Sequence, residues 1–265
     1  MEEILVVGEL CTDKFVYCDV RRFSPEAPVP VLNPTQFVLN SGMAGNVVEN
    51  LKSLSPFSEF HFLHQKNEIL KTRYVEKKSN HMFLRVDEGD DNVDQLILDD
   101  NYILGLLEDV DGVIISDYNK GFLSEETILE LVRISKFSVL DSKRRLSDET
   151  LKYIDFIKLN EFEYLENKQI VERFPEKFII TLGAKGAMYK DKIFSSPKPQ
   201  QTIDVSGAGD TFVAAFTLYY MRTNDVEKSI MFANECCADV VSRKGVSLPS
   251  KVFENILDRV IVSLI

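Results

Sequence analysis

Tryptophan is absent, and histidine occurs only three times, at His61, His64 and His81. His61 and His64 fall in the strand-like run EFHFLH, where a spacing of three puts them on opposite faces, so a zinc site there is not expected. The four cysteines are Cys11, Cys18, Cys236 and Cys237, and none forms a CxxC pair. Reduced thiols in a cytoplasmic protein are expected, not a disulfide scaffold. No apolar run reaches the roughly 18 residues a membrane-spanning helix needs, and the acidic start MEEILVVGEL has the wrong shape for a signal peptide. Positive charge is in deficit, with 31 Lys and Arg against 42 Asp and Glu and a net charge of −11. That balance argues against nucleic acid and against an anionic membrane surface as partners. There is no GxxxxGK[ST] phosphate loop, no GxGxxG after the first strand and no GxSxG elbow.

What is present is an alternation of apolar runs with helical periodicity, the pattern of an α/β protein with a mostly parallel sheet. Strand-like runs are Ile4–Val7, Gly112–Ser116, Ser138–Asp141, Phe156–Leu159 and Phe178–Leu182. Helices are expected over Ser124–Ile134, from about Asn160, after Gly209, and from about Pro249. Two stretches break the alternation. Residues 14–40 are proline-bearing with short β-type runs, and residues 71–87 hold two more around the polar turn Lys78-Ser79-Asn80. Both read as strands outside the main sheet, forming a small β-sheet flap or lid. No linker or repeat divides the chain, so residues 1–265 are expected to be one domain. The acidic run from Asp87 to Asp91 lacks EF-hand spacing and reads as a solvated turn.

The most informative segment is Asp204-Val205-Ser206-Gly207-Ala208-Gly209-Asp210-Thr211-Phe212. Small residues at a helix start let backbone N–H groups converge on an anion at the positive end of the helix. Asp210 beside such a site would repel a bound phosphate, yet it suits a base that accepts a proton from an attacking hydroxyl. A plain N-cap after a glycine turn is the other reading. Thr181-Leu182-Gly183-Ala184-Lys185-Gly186 is a second glycine turn. Asn160-Glu161-Phe162-Glu163 follows a strand and reads as oxygen ligands for Mg²⁺, as a capping box, or both. Asp13 follows the first strand, and Ser41-Gly42-Met43-Ala44-Gly45-Asn46 opens a helix; Asn46 is able to donate to sugar hydroxyls, although either is also an ordinary turn.

These segments together resemble the phosphofructokinase-B, or ribokinase-like, carbohydrate kinases. DVSGAGDTFVAA is similar to the family's C-terminal signature and SGMAGNV to its N-terminal one, with the NxxE and TLGxxG elements between them in the family's order. Four segments, at residues 21–31, 70–87, 115–124 and 140–145, are most similar to D-glycero-D-manno-heptose 7-phosphate kinases. The resemblance implies a ribokinase-like fold and ATP- and Mg²⁺-dependent phosphorylation of the anomeric hydroxyl of that sugar phosphate. It implies Asp210 as catalytic base and the amides of Gly207, Ala208 and Gly209 as an anion hole. Asn160 and Glu163 would organise Mg²⁺ and the ATP phosphates. Thr181, Gly183 and Gly186 would line the nucleotide site, with Asn234 near adenine. Asp13, Gly42 and Asn46 would hold sugar hydroxyls, and Arg22, Lys120 and Lys143 the sugar's phosphate. Asp204, with the loop Arg243–Ser247, would take a monovalent cation such as K⁺. The resemblance further implies a homodimer paired through the lid strands. Another sugar acceptor, or a non-catalytic relative that binds sugar or nucleotide, remains open. The chain departs from the family at Met43 and Gly45, and a strand–helix unit after residues 53–63 is expected to be missing.

Overall fold

The first strand sets the layers of the molecule. In β1 (Glu3–Gly8) Ile4 and Val6 face one helical layer and Leu5 and Val7 the other, all fully buried, because successive strand side chains point to opposite faces. The structure is a computed structural model describing residues 2–98, 101–197, 202, 204–243 and 245–250. The helix expected from Pro249 lies largely outside these residues.

After β1 the chain leaves the sheet in a long hairpin, β2 (Leu10–Phe23) and β3 (Pro30–Met43), and returns as α1 (Ala44–Leu54) and β4 (Glu59–Leu63). A second excursion forms β5 (Leu70–Glu76) and β6 (Met82–Glu88). From there the alternation is regular through α2 (Asn101–Asp109), β7 (Gly112–Asp117), α3 (Glu125–Ile134), β8 (Ser138–Ser142), α4 (Asp148–Tyr153), β9 (Phe156–Asn160), α5 (Glu161–Arg173) and β10 (Phe178–Thr181). A short antiparallel pair, β11 (Ala187–Tyr189) and β12 (Lys192–Phe194), precedes α6 (Ala208–Thr223) and α7 (Val226–Val240). The main sheet has the order β12-β11-β10-β9-β8-β7-β1-β4, parallel from β4 through β10. α1, α6 and α7 cover one face, where Phe156, Phe212 and Phe216 pack with Ile4 and Val6. The other face packs on α2, α3 and α5.

The five expected strands and the helix starts at Ser124, Asn160 and Gly209 are present, Ser124 capping α3 through Thr127 N–H. The lid is a separate four-stranded sheet of order β3-β2-β5-β6, with longer strands than the 14–40 reading gave, since β2 begins at Leu10 and β3 runs to Met43. β4 stands at the edge of the main sheet, and the chain passes from it straight into β5. His61 on this edge strand pairs with Glu3 (2.8 Å). None of the four cysteines is in a disulfide, and among the described residues no helix is long and apolar enough to cross a membrane.

Candidate active site

The carboxyl ends of β1, β7, β8 and β9 reach one rim of the main sheet, where α1 and α6 begin and the lid overhangs. α/β sheets bind ligands at this edge. A cavity of about 350 Å³ lies there. Asp13, Gly42, Met43 and Asn46 line one wall, and Ser206, Gly207 and Asp210 the facing one. Tyr118, Lys120 and Lys143 come from the main-sheet rim, and Lys71, Arg73, Arg85 and Asp87 from the lid.

Asp210 sits in the first turn of α6 and is only 5% exposed. Asn46 Nδ2 donates to its Oδ2 (2.8 Å) and the Tyr118 hydroxyl to its Oδ1 (2.7 Å). Burial pushes its pKa up to about 6, against the pull of those two donors and of Lys158. Gly207 turns the chain into the helix with φ of 79°, and a Cβ there would collide with the Asn46 amide. Gly42 is needed for the same kind of reason, since a Cβ would collide with the Asp13 carboxylate and the Cys11 sulfur. The N–H groups of Gly209 and Asp210 meet no acceptor among the described residues, so they remain available to an anion at the helix start. Ala208, expected to share that task, turns its N–H back to the Val205 carbonyl (3.3 Å).

Below this turn lies a group the sequence reading missed. Lys158 on β9 places its ammonium 3.2 Å from where a Cβ on Gly209 would sit, and it holds both oxygens of Asp141 (3.0 and 3.1 Å). Burial opposes the charge, but Asp141 and Glu163 outweigh it and raise the lysine pKa. A lone lysine within the buried run FIKL was the available signal.

The lid contributes charge through its period of two. Asn40, Asp13, Lys71 and Asp87 lie in one row across the four strands, and Val38, Phe15, Arg73 and Arg85 in the next such row. Lys71 Nζ bridges Asp87 (3.2 Å) and Asp90 (3.0 Å), Lys120 reaches Asp90 (2.6 Å), Arg73 pairs with Asp13, and Arg85 with Asp87. The acidic run is therefore not merely a solvated turn: Asp87 and Asp90 hold Lys71, Arg85 and Lys120. Asn46, Lys120, Lys143, Asp13 and Gly42 all line the cavity, as Gly207 and Asp210 do. Arg22 does not. It is exposed near the far end of β2, roughly 30 Å of strand beyond Asp13, because the hairpin extends past the cavity.

The other assigned positions lie apart from this cavity. Asn160 and Glu163 form a capping box at the start of α5, with bonds of 2.9 and 2.8 Å, and burial raises the Glu163 pKa while Lys158 lowers it. The Thr181 hydroxyl is bonded to the Leu159 carbonyl, and Gly183 borders open space. Gly186 packs against the backbone of Phe194 to Ser196, closing the turn before β11, and the buried Asn234 amide donates to the Phe194 carbonyl (2.9 Å). Both fasten β12 to its neighbours. The Asp204 carboxylate accepts the Ser206 N–H (2.9 Å), while Arg243 is fastened to Asp239; Lys244 lies outside the described residues.

A model of the pfkB family carbohydrate kinases matches residues 60–252. The chain belongs to that family. It is thus an ATP-dependent sugar kinase by class, and the pfkB match takes in Asp210, Lys158 and the lid strands β5 and β6. Bifunctional protein HldE of Helicobacter pylori is 27% identical over 306 residues, covering 94% of this chain and 65% of that protein. HldE of Campylobacter jejuni is 29% identical over 287 residues, covering 92% of this chain and 62% of its own length. The chain thus spans somewhat under two-thirds of these relatives, and both alignments are longer than the chain itself, so the relatives carry segments it lacks. Among solved structures, the ribokinase of Thermotoga maritima superposes with a TM-score of 0.74 at 17% identity, covering 98% of this chain and 100% of that one. Ribokinase of Arabidopsis thaliana, complexed with ribose and ATP, gives 0.72 at 15% identity and covers 97% and 98%. The fold of this pfkB member is ribokinase-like.

Proposed function

We propose that this chain is a single kinase domain that phosphorylates the anomeric hydroxyl of a phosphorylated sugar, D-glycero-D-manno-heptose 7-phosphate, to the 1,7-bisphosphate. One observation carries the reading: a buried carboxylate at a helix start, beside free amides, at one end of a cavity whose other end is built from cations. Asp210 accepts the proton of the acceptor hydroxyl as that oxygen attacks phosphorus. The Gly209 and Asp210 amides and the Lys158 ammonium face the negative charge on the transferred group, and act best where water is excluded. Asp13 and Asn46 hold sugar hydroxyls. Lys71, Arg73, Arg85, Lys120 and Lys143 receive the sugar's own phosphate, with the lid cations taking the part first given to Arg22. Arg73 and Arg85 stand directly opposite each other across β5 and β6, a like-charge pairing that an anion between them would relieve.

ATP is the phosphoryl donor and Mg²⁺ supplies charge neutralisation on its phosphates. Glu163 suits an outer-sphere role toward Mg²⁺, because its buried carboxylate lies next to Lys158 and only one oxygen is bonded in the capping box. The heptose acceptor draws support from the relatives named HldE and from the four similar segments. A place for the product in surface-polysaccharide precursor synthesis follows from that acceptor.

The reading includes a homodimer through the lid. The rows that face away from the cavity hold Phe37, Val16, Tyr74 and Leu84, then Leu39, Lys14, Thr72 and Val86. Phe37, Leu39 and Leu84 are more than half exposed, which a soluble sheet avoids unless a second copy covers it.

ADP release with Mg-ATP tests the function, comparing heptose 7-phosphate with ribose, fructose and fructose 6-phosphate, and Asp210→Asn as control. Turnover on heptose 7-phosphate alone, lost in the variant, supports the reading. Preference for another sugar keeps the kinase and removes the heptose. A folded protein that binds ATP and turns over no sugar favours a non-catalytic relative.

A further inference from the structure

Glu9 is a buried carboxylate that the proposed mechanism does not use. It follows β1 directly and is 0% exposed, yet among the described residues none of its hydrogen bonds comes from a cation. Its two oxygens are spent on backbone amides, Oε2 on the N–H of Tyr118 (2.8 Å) and Oε1 on that of Lys120 (2.9 Å). Burying a carboxylate this way is unfavourable, and burial raises its pKa. A neutral residue would serve a merely structural turn.

The loop it grips is strained and is gripped twice. Asn119 has φ of 55°, in the left-handed region, and its N–H donates to the buried Asp117 (3.0 Å). The three residues so fixed reach both ends of the cavity. The Tyr118 hydroxyl donates to Asp210 (2.7 Å), and the Lys120 ammonium reaches Asp90 (2.6 Å) beside Lys71. The Lys143 ammonium lies 4.1 Å from the centre of the Tyr118 ring. Partial burial and the neighbouring Asp210 charge raise the tyrosine pKa, so its hydroxyl stays protonated and donates.

We propose that Glu9 and Tyr118 are positioning residues for the base: Glu9 locks the loop, and the Tyr118 hydroxyl holds the Asp210 carboxylate toward the sugar while Lys120 is held at the phosphate end. This rests on the kinase reading above, and the two fail differently. The charged or titratable groups facing Asp210 besides Tyr118 are Asp141 on β8, Lys158 on β9, Cys11 on β2 and Cys237 on α7. Across the cavity stand Asp13, Arg73 and Lys143.

The test is steady-state kinetics of Tyr118→Phe and Glu9→Gln across pH, on whichever sugar the wild type turns over. Tyr118→Phe is expected to lower kcat roughly 10–100-fold, the worth of one hydrogen bond to a charged group, with KM for ATP unchanged. It removes a donor to the charged form, so the acidic limb of kcat/KM moves to higher pH. Glu9→Gln sets a side-chain N–H against a backbone N–H. It is expected to reproduce that loss and also to raise KM for the acceptor through Lys120. Wild-type kcat and an unmoved acidic limb in Tyr118→Phe would overturn the proposal, as would a kcat loss without the limb shift. ¹³C-carboxyl NMR of Asp210, assigned with Asp210→Asn, needs no turnover. A higher Asp210 titration in Tyr118→Phe supports the relay even if no sugar is a substrate, and an identical titration rejects it.

Discussion

The two ends of the cavity are built on different principles. The base end is made from main-sheet loops and helix starts: Asn46 and Tyr118 are neutral donors to the buried Asp210 carboxylate, beside Gly209 and Asp210 amides that meet no acceptor among the described residues. The far end is made mostly from lid strands, joined by Asp90 and by Lys120 from the main-sheet rim, and its contacts are ion pairs among Lys71, Arg73, Arg85, Lys120, Asp13, Asp87 and Asp90. The first arrangement fixes geometry, as proton transfer requires. The second holds cations in paired form, which under the proposed function exchange a carboxylate partner for the sugar's phosphate. One end is suited to chemistry and the other to recognition.

Substitutions on either side should break that division in opposite ways. Asp210→Asn is expected to lower kcat about 10²–10⁴-fold, with ATP binding retained by calorimetry. Lys71→Met leaves kcat within about threefold but raises KM for a phosphorylated acceptor roughly 10–100-fold, seen in initial rates. An equal loss of kcat in Lys71→Met would erase the distinction.

The pH response belongs to the base end. With Asp210 titrating at about 6, kcat/KM should fall close to tenfold for each pH unit below that point. The stability effect has the opposite sense. The folded pKa lies above the ordinary 3.8, so the stability this group contributes is fully present below about pH 4 and is lost as pH rises through about 6. Comparing denaturant midpoints of wild type and Asp210→Asn across that window checks it.

The lid's outer face gives a smaller effect on the chemistry. Under the proposed lid dimer, Leu84→Glu should shift the protein from dimer to monomer by light scattering while changing kcat less than Asp210→Asn does. The smallest effect is expected at Met43. Its φ of 56° with ψ of −136° strains a non-glycine residue by roughly 1–3 kcal/mol. Met43→Gly relieves that strain but gives up packing on Cys11 and Ile69. A net stability change within about 1 kcal/mol is therefore expected by chemical denaturation.

The same division explains what the sequence disclosed. The base end is local in sequence: Gly207, Gly209 and Asp210 are neighbours, and their composition states the backbone they need. The β1, β7, β8 and β9 runs were legible because buried parallel strands are nearly continuous in apolar residues. The recognition end was misread at Arg22 and in the run Asp87–Asp91, because strand register, not local composition, decides which charges meet. Asp13, Lys71 and Asp87 come together only once β2, β5 and β6 are aligned. Lys158, Glu9 and Tyr118 stood in plain sight, yet a buried charge reveals its partner only in three dimensions. Gly186 and Asn234 matched a motif, and their contacts with β12 were not legible from it.

Binding of the phosphorylated sugar to Asp210→Asn, by calorimetry with a non-hydrolysable ATP analogue present, tests the separation of the two ends most directly. Affinity within about threefold of wild type, alongside lost turnover, is the result expected if Asp210 serves chemistry and the cations serve recognition. Affinity lost in parallel with turnover would make Asp210 a binding group and contradict the account.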